Sequence, residues 1–186
     1  MLSIQLRPKV CAMCPREFIP RSSFATVCSQ RCAMRKLKAD KTKEREAFRE
    51  RREAIKTIPQ LIKEAQHAFN AYVRERDRQA GHRCISSGRV LDWSGNGVDA
   101  GHYRSVGSAS HLRFNENNCH AQSKHDNQWK SGNAVDYRIG LIQRIGLEAV
   151  EALEADNTPH KWTREELIAI RATYKAKLKQ LEKEQE

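Results

Sequence analysis

Four cysteines within 22 residues set the tightest limit on how this chain folds: Cys11, Cys14, Cys28 and Cys32, in the run CAMCPREFIPRSSFATVCSQRC. Two residues separate the first pair and three the second, spacings at which a tight turn directs both sulfurs of a pair to one side. Four sulfurs with no open position describe a structural zinc site. Between the pairs Phe18, Ile19, Phe24 and Val27 supply a miniature core, too small to fold unaided. Zinc is therefore expected to contribute most of the folding free energy of a module at 8–33, in excess of roughly 10 kcal/mol for small fingers. Arg16, Arg21, Arg31 and Arg35 beside it are candidates for phosphate contacts, although a solvated surface explains each one as well.

The remaining totals point to small modules joined by exposed helix. Only 39% of the 186 residues are hydrophobic, thin material for one large core. No run approaches 18 apolar residues, so no membrane span is expected, and MLSIQLRPKV lacks the pattern of a secretory signal. A cytoplasmic location follows as an expectation, and there cysteines serve as metal ligands or free thiols before disulfides. The formal charge of +11 favours a polyanionic partner, nucleic acid above all.

From Met34 to Lys56 the chain is almost wholly Lys, Arg, Glu and Ala, and positions 31 to 56 hold eleven basic and five acidic residues. The composition predicts a helical connector over 34–58, either solvated or lying along a DNA backbone. Pro59 breaks it or opens the next helix. There Ile62, Ala65, Phe69, Tyr72 and Val73 form a stripe meant for burial, ending near Gly81. This helix is expected to pack on the second module, 60–186. Further on, Ala134 to Ile145 and Leu147 to Ala155 read as helices divided by Gly146, with Val135, Ile139, Ile142 and Ile145 on one stripe. Thr163 and Glu166 make a capping box. It opens a last helix with Leu167, Ile170, Tyr174, Leu178 and Leu181 at burial spacing, either packed on the 60–80 helix or paired with its twin in a homodimer.

The segment 82–133 is different: rich in Gly, Asn and Ser, and dense in His, Asp, Asn and Cys. An Asp such as Asp99 can hold a hard cation through oxygen, and a neighbouring His such as His102 can deprotonate water. The side-chain oxygen of Asn127 suits the same cation. Phosphodiester hydrolysis is the chemistry that such a trio fits, whereas His102 as a turn residue and Asp99 as an ordinary loop carboxylate is the plainer reading.

The stretches DAGHYR, LRFNENNCH and SGNAVDYR, flanked by FNAYVRERD, LIQRIG and HKWT, resemble the phage NinG, or Rap, recombination proteins over roughly residues 8 to 180. The resemblance implies a mostly helical α+β fold with an HNH-like, beta-beta-alpha-metal centre between the zinc module and C-terminal helices. It also implies a structure-specific endonuclease acting on D-loops and Holliday junctions, using Mg2+ or Mn2+ beside structural zinc, with branched DNA and phage recombination proteins as partners. On it His102 is the general base, Asp99 and Asn127 are metal ligands, and Asn118 is a structural asparagine holding the loop. Arg104 and Lys130 join Arg16, Arg31 and Arg35 as DNA-contact candidates.

The same resemblance implies two central CxxC pairs around a further zinc, and here the chain departs from it. The first pair reads Cys84-Ile85-Ser86-Ser87 and the second Ser123-Lys124-His125-Asp126. A serine hydroxyl does not ionise near pH 7, so a four-cysteine site is lost. Either a mixed site draws on Cys84, Cys119, His120, His125 and Asp126, or a zinc-free centre is held by packing of Trp93, Leu112, Phe114 and Trp129. An altered centre leaves a second functional reading, a non-catalytic zinc-containing protein that binds branched DNA or recruits recombination factors.

Overall fold

The computed structural model describes residues 6–184. Its contacts divide into two units, one ending at Lys56 and one beginning at Thr57. The fold is α+β and mostly helical.

In the first unit β1 (Lys9–Val10) and β2 (Glu17–Phe18) pair antiparallel and frame the first cysteine pair. The second pair leads into α1 (Gln30–Ala54), whose N-cap Ser29 accepts from the Cys32 N–H. The miniature core expected from the apolar residues does not form. Phe24 is 91% and Ile19 73% exposed, and Phe18 and Val27 are only half-buried. Buried side chains here are Cys11, Pro20 and Cys32, so the sulfurs themselves are the centre of the module. Along α1 the only buried residue is Cys32, which agrees with a sequence too polar to demand a core.

In the second unit α2 (Ile58–Gln79) starts at a Thr57 capping box with Gln60, and Pro59 sits in its first turn. That is the place where a missing N–H costs nothing. It buries Leu61, Ala65, Ala68, Phe69 and Val73 against α5 (Arg164–Lys183), which contributes Leu167 and Tyr174. The C-terminal stripe is thus used within the chain, against α2, rather than left for a twin. Phe69 meets Tyr174 edge-on at 4.8 Å and Phe114 at 5.8 Å, geometries that add to area burial.

Across this helix pair lies a two-stranded antiparallel sheet, β3 (Val98–His102) with β4 (Cys119–Ser123), in register from Val98↔Ser123 to His102↔Cys119. A single π-helical turn, His125–Trp129, follows β4 directly. Then come α3 (Ala134–Ile145) and α4 (Leu147–Ala155), which close a second cluster around Ile85, Leu112, Tyr137, Leu141 and Val150. The stripe expected on α3 is rotated. Tyr137 and Leu141 are buried, while Val135 is 75% and Ile139 54% exposed, because the Tyr137 hydroxyl reaches in to donate to the Gly101 carbonyl at 2.8 Å.

Gly140 lets α3 approach the chain at Ile85. A Cβ there would lie 1.9 Å from the Ile85 carbonyl oxygen, a backbone atom with no rotamer to escape by. Gly140→Ala is expected to lower the stability of this unit by about 1–3 kcal/mol, the usual cost of overpacking. An unchanged denaturation midpoint would show that α3 does not sit this close. Among the described residues no helix is long and apolar enough to cross a membrane.

Candidate metal centres and site residues

The four N-terminal sulfurs are assembled as a metal site needs them. Cys14 Sγ lies 3.6 Å from Cys28 Sγ and 3.8 Å from Cys32 Sγ, and Cys28 to Cys32 is 3.8 Å. Zinc–sulfur bonds of about 2.3 Å in a tetrahedron put sulfurs about 3.8 Å apart. Backbone geometry supports the same use. The Met13 and Cys28 N–H groups point at Cys11 Sγ. Burial pushes the Cys11 thiol up, but these donors outweigh it and bring it down to about 6. Among the described residues this is the one set of three or more His, Cys, Asp or Glu groups within mutual ligand reach, and a structural zinc fits it.

The second candidate centre joins β3 to the π-helical turn. Asp99 Oδ2 accepts from Asn127 Nδ2 at 2.9 Å and from Gln128 Nε2 at 2.9 Å, across 28 and 29 residues of sequence. Turning the Asn127 amide about its last torsion exchanges nitrogen for oxygen, and then two oxygens face one point. Gln128 is an addition that the sequence reading missed, since nothing in its spacing distinguishes it from a surface glutamine.

His102 is placed differently. Three positions along a strand reverse the face, so Asp99 and His102 lie on opposite sides of β3. His102 packs toward Phe69, ring centroids 6.2 Å apart, on the α2 side. Its Nε2 is 2.9 Å from the Arg113 carbonyl. A carbonyl can only accept, so Nε2 carries the hydrogen and Nδ1 has the free lone pair, 3.8 Å from Cys119 Sγ. Burial holds the imidazole below its ordinary pKa, favouring the neutral form. The structure therefore joins Asp99 with Asn127 and leaves His102 across the strand.

Asn118 is fully buried and uses its whole side chain on one loop. Its Oδ1 accepts from the Arg104 N–H at 2.8 Å, and its Nδ2 donates to the Arg104 and Leu112 carbonyls at 3.0 and 3.2 Å. That fixes the segment between β3 and β4 at both ends. Gly101 matters for the same region, because Gln122 Oε1 occupies the space 2.1 Å from where its Cβ would stand.

The other candidates separate into two groups. Arg16, Arg31 and Arg35 are exposed. Arg104 instead spends its guanidinium on the end of α4, donating to the Leu153, Glu154 and Asp156 carbonyls and to Asn157 Oδ1. Lys130 Nζ lies 3.4 Å from Asp126 Oδ1. Of the residues weighed for a mixed central zinc, only Cys84 and Asp126 meet closely, at 3.4 Å. Cys119 faces His102, His120 is tied to Arg76 and Asp77, and His125 is exposed with Nδ1 3.8 Å from Asp126 Oδ1. Packing does not take over in the expected way either: Trp129 is 80% exposed, and Trp93, Leu112 and Phe114 belong to three different clusters.

Comparison with known families settles the lineage. The model of the bacteriophage lambda NinG protein matches residues 4–184. The chain belongs to the NinG family. It is 50% identical over 133 residues to protein ninG of Escherichia phage lambda, and 49% identical over 133 residues to those of Salmonella phage P22 and Escherichia phage 933W. These matches cover 70% of this NinG-family chain and 62 to 63% of the relatives' own length. No solved structure matches it.

Proposed function

We propose that this NinG-family chain is a divalent-metal-dependent endonuclease that hydrolyses phosphodiesters in branched DNA recombination intermediates, D-loops and Holliday junctions, in the bacterial cytoplasm. The meeting of Asp99 with Asn127 carries the reading. A carboxylate and a side-chain amide, brought together from a strand and the turn that follows its partner strand, suit Mg2+ or Mn2+ once the amide turns its oxygen to the ion. When bound, such an ion stabilises charge on the phosphate and the leaving oxygen. His102 is the general base of this reading, neutral and oriented by the Arg113 carbonyl. It is the last residue of β3, on the face opposite Asp99, and its part as base is tested separately from the metal pair. The charge of +11 and the exposed Arg16, Arg31 and Arg35 supply backbone attraction without sequence preference.

The test is cleavage of matched duplex, flap, D-loop and four-way substrates with Mg2+ or Mn2+. Asp99→Ala is expected to lower the rate by roughly 100-fold or more, since even an outer-shell partner of a metal costs 10- to 100-fold. His102→Ala is expected to fall comparably. If His102→Ala cuts like the parent while Asp99→Ala does not, the base is another group and the metal pair stands. Tight junction binding with no cutting in either metal would make the protein a branch-binding module instead.

A further inference from the structure

The four positions Cys84, Ser87, Ser123 and Asp126 repeat much of the backbone frame of the N-terminal zinc quartet. Cys11 N–H donates to the carbonyl five residues ahead, Arg16, at 2.9 Å; Cys84 N–H does the same to Arg89 at 3.0 Å. Cys28, which opens the second N-terminal pair, donates its N–H to Cys11 Sγ at 3.4 Å. Ser123, which opens the second central pair, donates its N–H to Cys84 Sγ at 3.2 Å. Ala12 N–H donates to the Thr26 carbonyl at 2.9 Å and Ile85 N–H to the Ala121 carbonyl at 3.1 Å, in each copy two residues before the second pair. Each second pair ends on a residue whose N–H returns to a serine hydroxyl three positions back: Cys32 to Ser29, inside the pair, at 3.3 Å, and Asp126 to Ser123, the opening residue of its pair, at 3.1 Å.

What differs is the middle. In the first frame four sulfurs face one point. In the second, Asp126 Oδ2 accepts from Ser87 Oγ at 2.7 Å, Ser123 Oγ at 2.7 Å and the Cys84 thiol at 3.4 Å. The carboxylate is 0% exposed, and its Oδ1 faces Lys130. A zinc ion does not fit this donor set, because two of the four groups are hydroxyls already donating to the third.

We propose that Cys84, Ser87, Ser123 and Asp126 form a metal-free clasp on the frame of a zinc knuckle, with one carboxylate oxygen taking the central place that an ion would take in the N-terminal quartet. Three donors converging on Oδ2 replace three metal–sulfur bonds, and charge-assisted hydrogen bonds are the strong kind. Asp126 precedes Asn127, so the clasp also fixes the residue that meets Asp99. Asp126 is in this sense a positioning residue; that last step rests on the proposed nuclease reading, while the clasp itself does not.

Zinc content of the full-length chain tests it. One zinc per chain is expected, falling to none in Cys11→Ser/Cys14→Ser, while the unit from Thr57 keeps its cooperative melt. Zinc persisting in that double variant, or a central melt that is lost with the metal, would overturn the clasp. The converse experiment restores sulfurs, with Ser87→Cys, Ser123→Cys and Asp126→Cys beside the native Cys84. The expected gain is a second tightly held zinc, and Co2+ substitution should roughly double the thiolate-to-metal absorption. A folded triple variant that still holds one zinc would show that the two frames are not equivalent. Neither measurement uses DNA cleavage, so failure of the clasp and failure of the nuclease reading are told apart.

Discussion

Chelating the zinc is expected to dissolve the fold of residues 9–33 while leaving the unit from Thr57 intact. The N-terminal module has almost nothing else to hold it, with Phe24 and Ile19 in solvent and a hairpin of two residues per strand. Metal binding in such sites is worth roughly 10–16 kcal/mol, far more than this module can draw from apolar burial. Hydrogen exchange gives the readout. The Cys11 and Ala12 amides, which donate to Arg16 and Thr26 carbonyls, should exchange freely once the metal is removed. The Ala121 amide, which donates to buried Asp77 Oδ2 at 2.6 Å, should remain protected. If both amides lose protection together, the second unit depends on the first. If neither does, the sulfurs are not what organises the module.

Asp77→Ala is expected to cost about 3–5 kcal/mol, the range for removing one member of a buried ion pair. Asp77 is 1% exposed on α2. It holds the Ala121 N–H, Arg76 Nε at 2.7 Å, Arg144 Nη1 at 3.4 Å and the His120 ring at 3.7 Å. Alanine would leave two guanidinium groups and a buried amide without that partner, at the junction of α2, β4 and α3. Acid should expose the same dependence. Burial pushes the Asp77 carboxyl up, but His120, Arg76 and the Ala121 amide outweigh it and hold it well below the usual range. A carboxylate lowered in the folded state stabilises fully above its unfolded pKa of about 4 and loses that contribution as pH falls below it. The stability of the parent should therefore drop from about pH 4 downward, and Asp77→Ala should show a shallower acid slope. Equal slopes would mean that Asp77 is not the group responsible.

The helices were legible because their punctuation is local. Pro59, Gly81, Gly146 and the Thr163–Glu166 box each mark a boundary that backbone chemistry enforces. Which face of α3 is buried was not legible, since Tyr137 is recruited by a carbonyl on a distant strand. The sheet was harder still. β4 reads Cys-His-Ala-Gln-Ser, which no hydrophobic pattern selects, yet all five residues are buried. Most of their polar groups are answered from elsewhere: Gln122 Nε2 by Ser86 and Gly132, His120 by Arg76 and Asn117, Ser123 by Asp126. For Gln122 and His120 that burial depends on partners 10 to 44 residues away. Of the candidate centre, the family resemblance placed Asp99 and Asn127, which do meet. It could not foresee that strand alternation puts His102 on the other face, nor that three missing sulfurs are replaced by a carboxylate and two hydroxyls.

The 25 residues of α1 make a rod about 37 Å long, close to the axial rise of one turn of duplex. Seven of its ten basic side chains, at 31, 35, 38, 41, 45, 49 and 52, recur at three- and four-residue spacing and so share one edge, while Lys36, Lys43 and Arg51 lie off it. Such a rod has a preferred azimuth toward a polyanion, with that edge inward and most of its carboxylates turned away. Its grip then depends on rotational register as well as on ionic strength.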